Sequence, residues 1–366
     1  MANILDYIQW RGDLSFEQSP LNEVDALIFS QISYTDFSNL GVNGFTKNTI
    51  TFKELMELFA ASPDFEKRKY FGAMIDKRTV ELIQNAASSK RFGEVKVCGF
   101  VNKIDLENEE QFSAITFILP GNKFIIAYRG TDDTIVGWKE DFNLSYMDTV
   151  PSQVDALLYL EDAAHYLKGD IYLAGHSKGG NLAVYSASKC GLKIQKRIKK
   201  IFDNDGPGFP ESFFASREYQ EVKNKINLFV PENSIVGMLF EHDKNFVTVE
   251  CDKRGIEQHN PFNWHLLCTD FIERADVTKE SKIINKSVNQ LFKDLDVEQR
   301  KIFIETIFGT LKETNALTNT ELIKNPLESM GKVLKAVGQL DKKTKSAVWS
   351  TVQMMIKLVA QNLNQV

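Results

Sequence analysis

Gly175-His176-Ser177-Lys178-Gly179 is a G-x-S-x-G pentapeptide, and Ser177 is the residue in this chain best placed to act as a nucleophile. A serine hydroxyl attacks a carbonyl only when a base takes its proton and N–H donors hold the oxyanion that forms. A sharp strand-to-helix turn meets both needs. Upstream, Gly169-Asp170-Ile171-Tyr172-Leu173-Ala174 is a short apolar run with strand character. Downstream, Gly180-Asn181-Leu182-Ala183-Val184-Tyr185-Ser186-Ala187 carries apolar residues at helical spacing. Gly175 and Gly179 let other backbone pass close, and the helix beginning near Gly179 points its positive end at the site. The alternative is an ordinary glycine-rich β–α turn; the strand and helix flanks favour the nucleophile.

The partners follow from chain order, which on sheets built around such an elbow runs serine, acid, histidine. Of the five histidines, His165 and His176 precede Ser177 and fail that order, and His176 reads as a packing or hydrogen-bonding side chain. His242 lies before the strand-like run Asn245–Cys251, at its wrong end. His265, in Trp264-His265-Leu266-Leu267-Cys268, reads as part of a packed helix. His259 follows the strand in a loop marked by Gly255 and Asn260-Pro261, and is the expected base. Three carboxylates sit just after strand-like runs: Asp203 and Asp205 in Asp203-Asn204-Asp205-Gly206-Pro207-Gly208, and Glu232 in Val230-Pro231-Glu232. Asp205 is preferred, because Asp is short and the Gly-Pro-Gly turn fixes its presentation; Asp203 and Glu232 stay as alternatives, and each of the three also reads as a turn or cap carboxylate. The oxyanion donors expected are the backbone N–H of Lys178 and Thr131, the latter in Arg129-Gly130-Thr131 after the run Phe124–Tyr128.

The elements that must hold these residues are legible in outline. Residues 1 to about 90 read as mainly helical, with helices opening near Ser19–Asp25, over Thr51–Ala61 and over Thr79–Ala87. Ala114–Leu119 and Lys123–Tyr128 flank Pro120-Gly121-Asn122 as a hairpin. A helix over about Ser152–Leu167 leads to the strand before Ser177, and Lys200–Asp203, Lys225–Val230 and Asn245–Cys251 read as later strands. Alternating strands and helices predict an α/β fold, a mostly parallel sheet flanked by helices. From about 278 the pattern becomes helical. Ile283, Ile284, Val288 and Leu291 share a face, as do Ile304, Ile307, Phe308 and Leu311, then Met330, Val333, Leu334 and Val337, then Val348, Val352, Met355, Ile356 and Val359. Asp296 with Gln299 resembles a capping box, and Asn325-Pro326 interrupts a helix. The expected organisation is a domain over 1–275 and a C-terminal helical region over 276–366. Its apolar stripes read as packing faces, with a lipid- or partner-binding surface as the other reading.

Composition narrows the class. The 366 residues are 43% hydrophobic and 25% charged, as in a globular protein, and the net charge of −5 argues against nucleic acid as a main partner. The four cysteines form no C-x-x-C pair, so neither a metal site nor a disulfide framework is expected; Cys190 and Cys268 read as buried thiols in helical contexts. No basic n-region precedes an apolar stretch at the N-terminus, and no run approaches the ~20 apolar residues of a membrane span, so a cytoplasmic protein is expected. Peripheral contact with a lipid surface stays compatible with that.

Tyr128-Arg129-Gly130-Thr131, Trp138, Asp141 and the G-H-S-x-G-G elbow together resemble the class 3 lipases. With Asp205-Gly206-Pro207-Gly208-Phe209, Ser234-Ile235-Val236-Gly237 and Gln258-His259-Asn260-Pro261-Phe262-Asn263-Trp264, the chain is more closely similar to the bacterial Mbeg1-like (DUF2974) α/β hydrolases, from the N-terminus to about residue 272. The resemblance implies an α/β-hydrolase fold and cofactor-free hydrolysis of carboxylic esters, of a lipid or a smaller molecule. One departure stands out. Class 3 lipases carry their acid as D-x-V-P where this chain reads Ser234-Ile235-Val236-Gly237, so the acid must shift to Asp205 or be replaced by Glu232. The reading is therefore a serine esterase using Ser177, His259 and Asp205, with Lys178 and Thr131 on the oxyanion. A thioesterase or peptidase on the same site is one alternative; a weakly active, hydrolase-like binding module acting through its helical region is another.

Overall fold

The computed structural model describes residues 1–324, apart from 46–48, 70, 73–74, 243–244 and 313–315, together with Lys342. The expected helices around Met330–Val337 and Val348–Val359, and the Asn325-Pro326 break, lie outside the described residues. One nine-stranded sheet organises the molecule. Its strands are β1 (Ile50–Thr51), β2 (Lys96–Asp105), β3 (Glu110–Leu119), β4 (Lys123–Tyr128), β5 (Asp170–His176), β6 (Ile198–Asn204), β7 (Ile226–Pro231) and β8 (Phe246–Val249). A two-stranded hairpin, β9 (Leu266–Leu267) and β10 (Asp270–Phe271), precedes the last sheet strand, β11 (Glu273–Arg274). Strands β4 to β8 pair in parallel and in chain order, while β1 to β4 and the β8–β11 pair are antiparallel.

The helices that bear on the site are α1 (Ile4–Arg11), α2 (Glu23–Ile32), α3 (Phe52–Ala60), α4 (Arg78–Ser88), α5 (Ile135–Asn143), α6 (Pro151–Tyr166), α7 (Lys178–Lys189), α8 (Lys279–Asp294) and α9 (Val297–Lys312). Alternation along β4 shows the layering. Phe124, Ile126 and Tyr128 pack with Leu160 of α6 and Leu182 of α7, whereas Ile125 and Ala127 pack with Ile4, Leu27, Phe29 and Leu82 of the N-terminal helices. Right-handed crossovers between neighbouring parallel strands taken in order place their helices on one face, so the N-terminal helices are what covers the other. The chain thus adopts the α/β-hydrolase fold, a helix-flanked, mostly parallel sheet.

Two local expectations fail. His265 is not helical: it directly precedes β9, with Nε2 2.9 Å from Asp252 and Nδ1 3.3 Å from Glu250. Cys268 is exposed at φ 59° in the turn between β9 and β10, whereas Cys190 is buried at the end of α7. A short apolar run satisfies both a helix and a strand template, and only tertiary pairing decides. The capping box at Asp296 forms as expected, with reciprocal bonds of 3.0 and 2.8 Å to Gln299.

Candidate active site

Ser177 sits between β5 and α7 at φ 59°, ψ −135°, a backbone that a non-glycine residue adopts only under strain. The turn is as tight as the pentapeptide requires. A Cβ on Gly175 would lie 2.0 Å from the Gly179 backbone, and one on Gly179 would lie 2.2 Å from the Tyr128 carbonyl. Lys178 opens α7, so its N–H has no intrahelical acceptor. The Arg129–Thr131 loop runs alongside: a Cβ on Gly130 would lie 3.0 Å from the Ser177 Cβ. Thr131 and Lys178 both line the cavity onto which Ser177 opens. The Thr131 hydroxyl already donates to Asp141 Oδ2 at 2.5 Å, which leaves its backbone N–H as the group Thr131 can offer an oxyanion. Confinement in the cavity wall pushes the Asp141 carboxyl up to about 6.

Asp205 and His259 are paired. His259 ends the short turn Gly255–His259 after β8, and its Nδ1 donates to Asp205 Oδ2 at 2.5 Å. Asp205 is fully buried just beyond β6. Its other oxygen accepts from the Ser234 hydroxyl at 2.5 Å and the Gly237 N–H at 3.1 Å. The segment that lacks the lipase acid therefore supplies two donors to Asp205 instead. A Cβ on Gly237 would lie 2.0 Å from Asp205 Oδ1, so glycine is needed there.

The other two carboxylates lie elsewhere. Asp203 is buried beneath the elbow, where Oδ1 accepts from Gly206 N at 3.0 Å, and burial pushes its carboxyl up to about 7. Glu232 accepts from Cys251 N at 3.3 Å and faces Arg274 at 4.0 Å.

His176 has a part that its place in the chain order does not reveal. Its Nδ1 bonds the Tyr34 hydroxyl at 3.0 Å, its Nε2 donates to the His259 carbonyl at 2.8 Å, and its ring lies 4.5 Å from the His259 ring. Burial holds His176 well below the usual histidine range, so it stays neutral and steadies the His259 backbone. Trp264 and Asn260 pin the same loop, through Gln258 O at 3.0 Å and Asp76 Oδ2 at 2.5 Å. Lys178 is also more than an elbow filler. Its Nζ is buried, 2.8 Å from Glu140 Oε2 and 2.9 Å from the Gln111 carbonyl. Glu140 in turn accepts from Gln111 N and Ser152 N, so this one ion pair ties β3, α5 and α6 to the start of α7.

Ser177, His259 and Thr131 face a mostly apolar cavity of about 380 Å³. One wall is C-terminal: Val288, Leu291 and Phe292 of α8, Leu295 just past it, and Phe303 and Ile304 of α9. Sequence patterning marks these helices as amphipathic without showing what they cover. The start of α8 is fixed to the loop after β7, with Thr278 N donating to the Glu232 carbonyl at 2.7 Å and the Ser281 hydroxyl to the Ser234 carbonyl. Among the described residues no His/Cys/Asp/Glu cluster could hold a metal ion, and no helix is long and apolar enough to cross a membrane.

A family model described as Mbeg1-like matches residues 86–309. The match begins well inside the chain and runs through α8 into α9, whereas the motif resemblance begins at the N-terminus and stops near residue 272. No curated protein matches the chain. A solved structure described as M37 lipase aligns with 20% identity and a TM-score of 0.37, over 60% of this chain and 70% of its own. At that similarity nothing passes from that lipase to this chain.

Proposed function

The chain belongs to the Mbeg1-like family, and on that premise we propose that it is a serine hydrolase that cleaves carboxylic esters carrying an apolar acyl chain. The observation that carries this reading is His259, held from behind by the buried Asp205 and set in the wall of the cavity onto which the strained Ser177 opens. With Nδ1 held by Asp205, His259 has Nε2 free to act as base. In the proposed reaction Ser177 Oγ attacks the ester carbonyl as Nε2 takes its proton. The oxyanion is held by the N–H groups of Lys178 and Thr131, each such donor worth about 3 kcal/mol. Collapse expels the alcohol, which takes the proton back from Nε2. Water then attacks the acyl enzyme, its proton passing to His259 and on to Ser177 Oγ as the acid leaves.

The apolar lining supports an acyl chain, and a cavity of about 380 Å³ lies near the lower end of the ~300–1,000 Å³ of small-ligand sites. That suits one chain rather than several. A series of p-nitrophenyl esters from acetate to palmitate tests this. Each buried CH₂ is worth about 0.8 kcal/mol, so kcat/KM should climb by up to about fourfold per methylene until the cavity is full, then fall. A flat profile, or a maximum at acetate, contradicts the acyl-chain reading.

A further inference from the structure

Behind the elbow lies a second cavity, of about 210 Å³, that shares no lining residue with the catalytic one. It opens between α7, the end of β6 and the short helix Arg217–Val222. Asp203 lines it while remaining only 4% exposed. One carboxylate oxygen, Oδ1, is turned to the elbow: it takes the Gly206 N–H at 3.0 Å, and a Cβ on Gly180 would lie 2.0 Å from it. The other, Oδ2, has no hydrogen-bond partner among the described residues, yet unlike Asp133 Oδ1 or Asp141 Oδ1 it is not shut off from solvent. The space open to it is the cavity that Asp203 lines.

His242 brings a second acceptor to the same wall. Its Nε2 lies 2.9 Å from the Leu239 carbonyl and donates to it, which fixes the tautomer and leaves Nδ1 with a lone pair. Nδ1 is likewise without a partner among the described residues and not sealed from solvent. Burial pushes this imidazole down to about 4, so it stays neutral at ordinary pH.

Two open acceptors, one of them a carboxylate, call for a cation that carries N–H donors, because buried charges are paired in folded proteins. Lys223, the cation at the rim, is exposed and makes no ion pair with Asp203. An anion would meet the Asp203 carboxylate. Among the described residues no His/Cys/Asp/Glu cluster could hold a metal ion. The remaining walls suit an organic cation. Phe209, Phe214 and Tyr219 line the cavity, the Phe214 ring lying 6.2 Å from Phe209 and 5.0 Å from Tyr219 between centroids. Such rings attract an ammonium group and cover the carbon that bears it.

We infer that this cavity is a binding site for a small organic ammonium ion, whose N–H groups are taken by Asp203 Oδ2 and His242 Nδ1. The inference does not depend on the ester-hydrolase reading, and its test reads binding alone.

Full-length wild type is titrated by calorimetry with n-butylammonium, tetramethylammonium, n-butanol and butyrate at matched ionic strength. At pH 8 n-butylammonium should bind saturably and at least about tenfold more tightly than the other three, since only it joins charge to N–H donors. Asp203→Asn should remove that advantage, and His242→Phe should weaken binding by about threefold or more, each with a cooperative thermal melt. The pH profile gives a second readout. The titratable groups facing Asp203 are Asp205, His242, Tyr219 and Lys223; burial, with Asp205 pushing the same way, raises its carboxyl to about 7. Below that pH the ammonium has to displace a proton, so binding should weaken by about 30-fold from pH 8 to pH 5.5. Binding that tightens as pH falls would place a neutral acceptor on protonated Asp203 and overturns the inference. So does tetramethylammonium or butanol binding as tightly as n-butylammonium, unchanged binding in either variant, or no saturable binding of n-butylammonium up to about 10 mM.

Discussion

Asp205 illustrates how much depends on single atoms here. It sits at φ 58°, fully buried, with every contact used: Oδ2 takes the His259 Nδ1–H and Oδ1 takes Ser234 Oγ–H and Gly237 N–H. Asp205→Asn keeps the shape but presents an amide to one of these donors and removes the charge that stabilises a protonated His259. In steady-state assays kcat/KM should fall by about 10³–10⁴-fold with the fold intact. Glu232→Gln should leave kcat/KM within about threefold, since its contacts are to Cys251 and Arg274. The reverse ranking would move the acid to Glu232. Asp203 makes a different prediction. Its carboxyl is pushed up to about 7 by burial, so the fold keeps a proton that the unfolded chain releases near pH 4. Its stabilising contribution is therefore complete below about pH 4 and is lost as pH rises to about 7. Asp203→Asn mimics the protonated acid and should be more stable than wild type at pH 8, by up to about 4 kcal/mol, with the difference vanishing toward pH 4. Thermal melts across that range check it.

At the scale of elements, the site is a set of carboxyl-terminal strand ends brought level by a parallel ladder. Tyr128 pairs with Gly175, Ser177 N reaches the Asn204 carbonyl at 3.0 Å, and Asp205 N reaches the Phe229 carbonyl at 2.8 Å. The Lys178–Glu140 pair locks the elbow helix to α5 and α6. Lys178→Met leaves Glu140 buried and unpaired, and should cost about 3–5 kcal/mol in denaturant unfolding, much of it recovered in Lys178→Met/Glu140→Gln. A single variant as stable as wild type would show that the pair holds nothing. Much of this level was legible in advance. The elbow, the Ala114–Tyr128 hairpin and the strands before Asp205 and Glu232 carry two-residue or 3.6-residue periods bounded by glycine and proline. What was not legible lacks a local period. His176 bonding the His259 carbonyl, and Ser234 and Gly237 serving Asp205, depend on loops that meet only in three dimensions. The Trp264–Cys268 run misleads because so short and mostly apolar a stretch, broken only by His265, fits both templates.

On the scale of the whole molecule, α8 and α9 belong to the cavity rather than hanging from it. Thr278 and Ser281 fix α8 to the loop that carries Ser234, and Asn289 clasps both backbone groups of Phe240 at 2.9 and 3.0 Å. On α9, Arg300 holds the Ser145 carbonyl, Glu305 pairs with Lys139 at 2.8 Å, and the Phe308 ring packs at a tilt against Phe142, 5.6 Å between centroids. Amphipathic stripes in the sequence could not show this, because a packing face does not say what it packs against. Phe292→Ala should enlarge the apolar wall and move the preferred acyl chain upward by several carbons in the p-nitrophenyl ester series, at a stability cost of about 3 kcal/mol or less. An unchanged optimum would separate α8 from acyl recognition. The central claim, that Ser177 is an activated nucleophile served by His259 and Asp205, is tested most directly by labelling the purified protein with a fluorophosphonate probe. Wild type should label covalently at Ser177, Ser177→Ala should not label at all, and His259→Ala and Asp205→Asn should label far more slowly. Well-folded wild type that fails to label, or a Ser177→Ala variant that labels as fast as wild type, would contradict the account.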